Sequence, residues 1–178
     1  MSFSCLIECR MTVQITQVDQ SLHAAATKGD IDVFNAVVQK VEDLNVLDQD
    51  GRTPLHMAAI AGESTVGAYI TECGGDVTVQ DKDGNTALHL AAMNNRRLFV
   101  SMLLWGEADP LAVNAKGNTA LHEAAERGHV PVIYIILQNG GEQAKEAKNN
   151  EGKTPLDLAK ENGHTEAVEC LETGDADF

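Results

Sequence analysis

NTALHLAA occupies positions 85–92, and NTALHEAA occupies positions 118–125. Seven of the eight letters agree, and each residue of the second copy lies 33 positions after its partner. The same pair of residues recurs at Leu22-His23, Leu55-His56, Leu88-His89 and Leu121-His122, always 33 apart, and a fifth copy reads Leu156-Asp157 after a step of 35. Glycines keep the same beat, with Gly51, Gly84, Gly117 and Gly152 ahead of the motif. Behind it stand Gly29, Gly62, Asn95, Gly128 and Gly163. A fixed period of this length marks a chain made by stacking one small unit on the next, because a single unit cannot bury its own apolar face. The two residues that lengthen the last step lie in NGGEQAKEAKNN, 139–150.

Each unit reads as two short helices and a turn. Thr53-Pro54 and Thr154-Pro155 are helix starts, with a hydroxyl to cap free N–H groups and proline at the first helical position. Thr86-Ala87 and Thr119-Ala120 keep the cap without the proline. The pairs Ala58-Ala59, Ala91-Ala92 and Ala124-Ala125 leave one helix face almost bare, which suits close stacking. Glycine then ends the helix in the left-handed conformation, and Asn95 is the best substitute for it. In the second helix, Phe99, Val100, Leu103 and Leu104 fall at helical spacing and form one apolar face. GGDVTVQDKDGN is typical of the hairpin-like turns that lead into the next unit.

RTPLHMAAIAG (52–62), NTALHLAAMNN (85–95), NTALHEAAERGH (118–129) and KTPLDLAKENGH (153–164) together resemble the ankyrin repeat. The resemblance implies an all-α repeat solenoid, a stack of about five helix-turn-helix units joined by hairpin-like turns. It covers 19–173, with units near 19–48, 49–81, 82–114, 115–149 and 150–173. The first unit departs from the pattern, since Gln20-Ser21 stands in place of Thr-Pro. Residues 1–18 form an N-terminal segment and 174–178 a tail, and the first eleven and last five residues are expected to be mobile. The more apolar second helix of the first unit, IDVFNAVVQ, is expected to be covered by 12–18, TVQITQV. The last helix, HTEAVECLE, sets Glu166, Glu169 and Glu172 among Ala167, Val168 and Leu171, as a terminal cap with a polar outer face.

Composition narrows the function. The formal net charge is −14 and it is uneven. Residues 1–81 carry 4 Lys/Arg against 12 Asp/Glu, 82–149 carry 7 against 7, and 150–178 carry 2 against 8. Such a chain is repelled by phosphate backbones and anionic lipid, so neither nucleic acid nor a membrane surface is expected as a partner. Cys5, Cys9, Cys73 and Cys170 show no regular spacing and fit reduced thiols. Glu8 and Arg10 interrupt the N-terminal apolar stretch, so no signal peptide is expected, and no stretch is long enough to cross a membrane. The expectation is an intracellular protein, cytoplasmic or nuclear.

The periodic His23, His56, His89 and His122 invite a catalytic or metal reading. Residues one repeat apart form a ladder rather than a converging cluster, and in ankyrin repeats this histidine is similar to a bracket joining turn backbone to the Thr hydroxyl. His129 and His164 follow turn glycines and are also in phase. Cys5 and Cys9 supply at most half a zinc site. Acidic pairs such as Glu42-Asp43 have no apolar pocket to raise a pKa. No phosphate-binding or nucleophile-elbow string occurs. The expectation is no enzyme, no cofactor and no metal.

The repeats span nearly all of the chain, so function is expected on their surface. The resemblance implies a concave face of turn tips and first helices that grips a protein partner. Positions that vary while their neighbours stay fixed are the candidates. At the turn tips they are Gln49, Asp50, Arg52, Lys82, Asp83, Asn85, Lys116 and Asn118, with Asn150, Glu151 and Lys153 beyond. On the first helices they are Ile60, Met93, Asn94, Glu126 and Arg127, with Ala61 beside them and Met57, Leu90 or Glu123 after the Leu-His pair. An apolar centre at Ile60 and Met93 inside a polar rim is how protein interfaces are built. The reading is a monomeric adaptor or inhibitor, with an assembly chaperone of transient clients or a regulatory subunit as alternatives.

Four further positions carry expectations. Trp105 is read as packing flat on the neighbouring helix near Tyr134, the alternative being a binding hot spot. Gly67 costs its helix about 1 kcal/mol relative to Ala, which makes the second unit the soft point. The insertion in 139–150 changes one turn tip, either to re-aim it toward a partner or by drift. Asn45 stands where ankyrin repeats often carry a hydroxylatable Asn.

Overall fold

The computed structural model describes residues 21–41 and 43–175. The expectations for 1–18, for Glu42 and for the final three residues lie outside them. The chain runs through α1 (21–28), α2 (Ile31–Val38), α3 (Pro54–Ala61), α4 (Ser64–Glu72), α5 (Ala87–Met93), α6 (Arg97–Trp105), α7 (Ala120–Glu126), α8 (Val130–Gln138), α9 (Pro155–Glu161) and α10 (Thr165–Thr173). A 3-10 helix, Gly141–Glu146, follows α8, and no strand occurs among the described residues. The architecture is the all-α stack read from the sequence.

Two layers build it. The first helices pack in series, α3 on α5, α5 on α7 and α7 on α9, and the second helices do the same from α2 to α10. The alanine pairs explain the closeness of the first layer: Ala58, Ala59, Ala91, Ala92, Ala124 and Ala125 are fully buried. Between the layers, Phe34, Val66, Ile70, Phe99, Val100, Leu103, Val132, Ile133 and Ile136 complete one continuous core.

The helix starts follow the sequence signals. Thr53, Thr86, Thr119 and Thr154 form capping boxes with His56, His89, His122 and Asp157. The turn after the first helix needs glycine for two reasons at Gly128. Its φ is +70°, and a Cβ there would stand 2.7 Å from the ring of His164 in the next unit. Asn95 takes the same left-handed conformation at φ 56°.

Two expectations are corrected. Gly67 is not a weakness of α4: a Cβ would come within 2.5 Å of the Phe99 ring, so glycine is what lets α6 approach. The two inserted residues do not alter a turn tip. They are absorbed by the 3-10 helix, whose Ala144 is fully buried, and the tip beyond keeps the geometry of the others. Asn149 N–H donates to the Lys153 carbonyl at 3.0 Å, as Asp48 does to Arg52, Asp81 to Asn85 and Asn114 to Asn118. In α10, Ala167, Cys170 and Leu171 face inward while Glu166, Glu169 and Glu172 are exposed, as a terminal cap requires.

Candidate functional site

The histidine ladder is structural in every described copy. His56 Nδ1 accepts from the Thr53 N–H at 3.1 Å, and its Nε2 lies 3.1 Å from the Asn85 carbonyl. A carbonyl can only accept, so Nε2 carries the proton and the ring is neutral. His89 repeats this with Thr86 and Asn118, and His122 with Thr119 and Lys153. His23 reaches the Arg52 carbonyl at 2.8 Å. Burial pushes the pKa of His56, His89 and His122 below 6.5, which keeps the rings in that form. Among the described residues Asp157, at the equivalent place in the fifth unit, bonds to no later turn. Asp157 keeps only the inward half of the bracket, accepting from the Thr154 N–H and hydroxyl at 2.9 and 2.8 Å.

A second bracket crosses the units at the other turn. Arg96 Nε donates to the Ile60 carbonyl at 3.0 Å, His129 Nε2 to Met93 at 3.1 Å, and His164 Nε2 to Glu126 at 3.0 Å. The turn tips are also joined through backbone. Lys82 N–H donates to Asp50, Ala115 to Asp83 and Asn150 to Lys116, each at 3.0 Å. These ladders set the first-helix ends and the tips in register, and so place the candidate strip.

The strip separates into surface and scaffold. Gln49, Asp50, Lys82, Asp83, Asn94, Lys116 and Arg127 are exposed, and Ile60, Met93, Arg52 and Glu126 are partly so. Asn85 and Asn118 are corrections: they are 5% and 3% exposed, with their side chains bonded inside the stack. Arg52 is half committed, because its Nε lies 3.7 Å from the buried carboxylate of Asp81. The amide oxygen of Asn45 accepts from Asp76 N–H at 2.8 Å.

Beneath the tips runs a polar network that the sequence reading treated as separate positions. Glu123 is fully buried. Its Oε1 accepts from Asn114 Nδ2 and Asn118 Nδ2, both at 2.9 Å, and its Oε2 from Arg127 Nη1 at 2.6 Å. Burial opposes the charge, yet the bonds from Asn118, Arg127 and Asn114 outweigh it and hold the carboxyl below its ordinary range. Asn114 donates onward to Asn85 at 3.0 Å, and Asn149 donates to Asn118 at 2.9 Å. A paired signal was present in the sequence. Asn114 and Asn149 stand where earlier units have Asp48 and Asp81, and Glu123 stands where they have Met57 and Leu90.

Trp105 is a further correction. It is 81% exposed and does not lie against the neighbouring helix. Among the described residues no group of acidic, histidine or cysteine side chains is placed to hold a metal ion, and no helix is long and apolar enough to cross a membrane. Cys73 and Cys170 are free thiols.

A stack of paired helices, bracketed unit to unit by histidine and presenting a row of turn tips, defines a helical repeat protein of the interaction class. The family profile for ankyrin repeats (3 copies) matches residues 22–114 and 98–178, and the chain belongs to the ankyrin repeat family. No curated protein matches it. Ankyrin repeats are in general protein–protein interaction modules without catalytic activity, and no catalytic domain is found in the chain.

Proposed function

We propose that the chain is an adaptor or inhibitor that grips one partner protein on the face made by its turn tips and first helices. The observation that carries this reading is the strip itself. Ile60 and Met93 occupy equivalent positions on α3 and α5, each half-buried. Beside them the tips present Lys82 and Lys116, exposed and without an ion pair among the described residues. Apolar contact supplies affinity and unneutralised charge supplies orientation and rate. Gln49, Asp50, Asp83, Asn94, Glu126 and Arg127 form the polar rim. Arg52, Asn85 and Asn118 belong to the scaffold that holds it.

The test is affinity capture from native cell extract with the wild type and with Lys82→Glu/Lys116→Glu/Met93→Asp, circular dichroism verifying the helical content of both. A protein held by the wild type and lost by the variant supports the strip as the contact face. Equal retention by both removes this face from the reading. Absence of this chain from the finished complex that its captured client joins would indicate an assembly chaperone instead.

A further inference from the structure

We infer that the chain self-associates weakly through α6, two copies packing antiparallel across a two-fold axis. This surface lies on the second-helix layer, outside the strip described above. Leu98 and Trp105 are 66% and 81% exposed, the most exposed of the large apolar side chains among the described residues. Seven residues apart on one helix, they share a face about two turns long. The corresponding residues of α4 are Thr65 and Glu72, and those of α8 are Pro131 and Gln138, so the stack itself does not require an apolar pair here.

The charge around the pair names the occupant. α6 opens on Arg96 and the exposed Arg97, and the chain leaving it carries the exposed Glu107 and Asp109. Cations at a helix start and anions past its end both oppose the helix macrodipole. α2 carries the favourable Asp32 in its first turn and α9 runs from Asp157 to Lys160, whereas α4 ends on Glu72 and α10 carries Glu172 in its last turn, so it is the two arginines at its start that set α6 apart from these. Glu107 is also held at φ 63°, where the second and fourth units have Gly74 and Gly140. The left-handed region is uncommon for such a residue. An antiparallel second α6 answers the exposed apolar pair and the opposite charges of Arg97 and Glu107 at once. It sets Leu98 against Trp105 of the other copy and Arg97 against its Glu107. Such an arrangement is self-complementary, as a two-fold interface must be. It also joins the chains across 82–149, the neutral stretch, and keeps the acidic ends apart.

Sedimentation equilibrium across a concentration series, in reductant so that the four cysteines cannot cross-link, tests this directly. The expected result is a mass rising from one chain toward two, with a dissociation constant on the order of 100 µM for so small a contact. Trp105 is the only tryptophan, so its emission should shift to shorter wavelength over the same range. Trp105→Ala should abolish the rise. Arg97→Glu or Glu107→Arg should each weaken it about tenfold, and the double variant should restore it. A single-chain mass throughout, up to about 1 mM, overturns the proposal. So does association that survives Trp105→Ala, or charge reversals that fail to compensate.

Discussion

The imidazole of His89 lies 2.9 Å from the carbonyl oxygen of Asn118, 29 residues further along, while its other nitrogen accepts from the N–H of Thr86. One side chain thereby satisfies the start of its own helix and the turn of the next unit. Replacing it with alanine strands a buried N–H and a buried carbonyl. His89→Ala should cost about 2–4 kcal/mol, read as a shift in denaturation midpoint at constant slope.

The same bracket sets the response to acid. Burial lowers the pKa of His56, His89 and His122 in the folded chain, so the unfolded chain binds protons first. Their contribution is complete above 6.5, the ordinary histidine value, and is lost as pH falls through the lower folded values. Urea titrations at intervals from pH 7.5 to about 5 should show stability falling from near 6.5 downward, well above the carboxylate range. A flat profile down to the carboxylate range would contradict the neutral ladder.

Asp157 should tolerate loss better than His89, because its carboxylate bonds only the start of its own helix, at Thr154. Asp157→Ala removes the cap of α9 alone. Hydrogen exchange should speed up in α9 and α10 and leave α5 and α7 unchanged.

The Glu123 network should behave as a unit. Asn114→Asp would set a second carboxylate against the buried one and destabilise the fold by about 2–4 kcal/mol at neutral pH. Glu123→Leu would leave the Asn118 amide without its acceptor and Asn114 with Asn85 alone, and cost about 2–3 kcal/mol. The double variant recreates the Asp81 and Leu90 pairing of the preceding unit. It should be much less harmful than the sum, and a double-mutant cycle measures the difference.

Gly67→Ala separates propensity from packing. Helix propensity favours alanine by about 1 kcal/mol. The Phe99 ring, 2.5 Å from the new methyl, opposes it, and overpacking of this kind costs about 1–3 kcal/mol. Net destabilisation is expected, with Phe99→Leu relieving part of it in the double variant.

The sequence by itself determined the units, their two helices, the caps and the turns, because the repeat shows each local signal four or five times in phase. Thr53, Ala58-Ala59 and Gly62 act through backbone geometry within one unit, and such information is local. Tertiary structure alone decided what neighbouring units do to one another. Gly67 reads as a defect until Phe99 of the next unit arrives. Asn85 and Asn118 read as surface until the following turn buries them, and Trp105 reads as packed until the helix beside it proves not to cover it. These are contacts between residues about one repeat apart, where burial depends on the direction of a side chain across the stack. Periodicity gives the position of that side chain along the chain, and only the packed helices give what lies opposite.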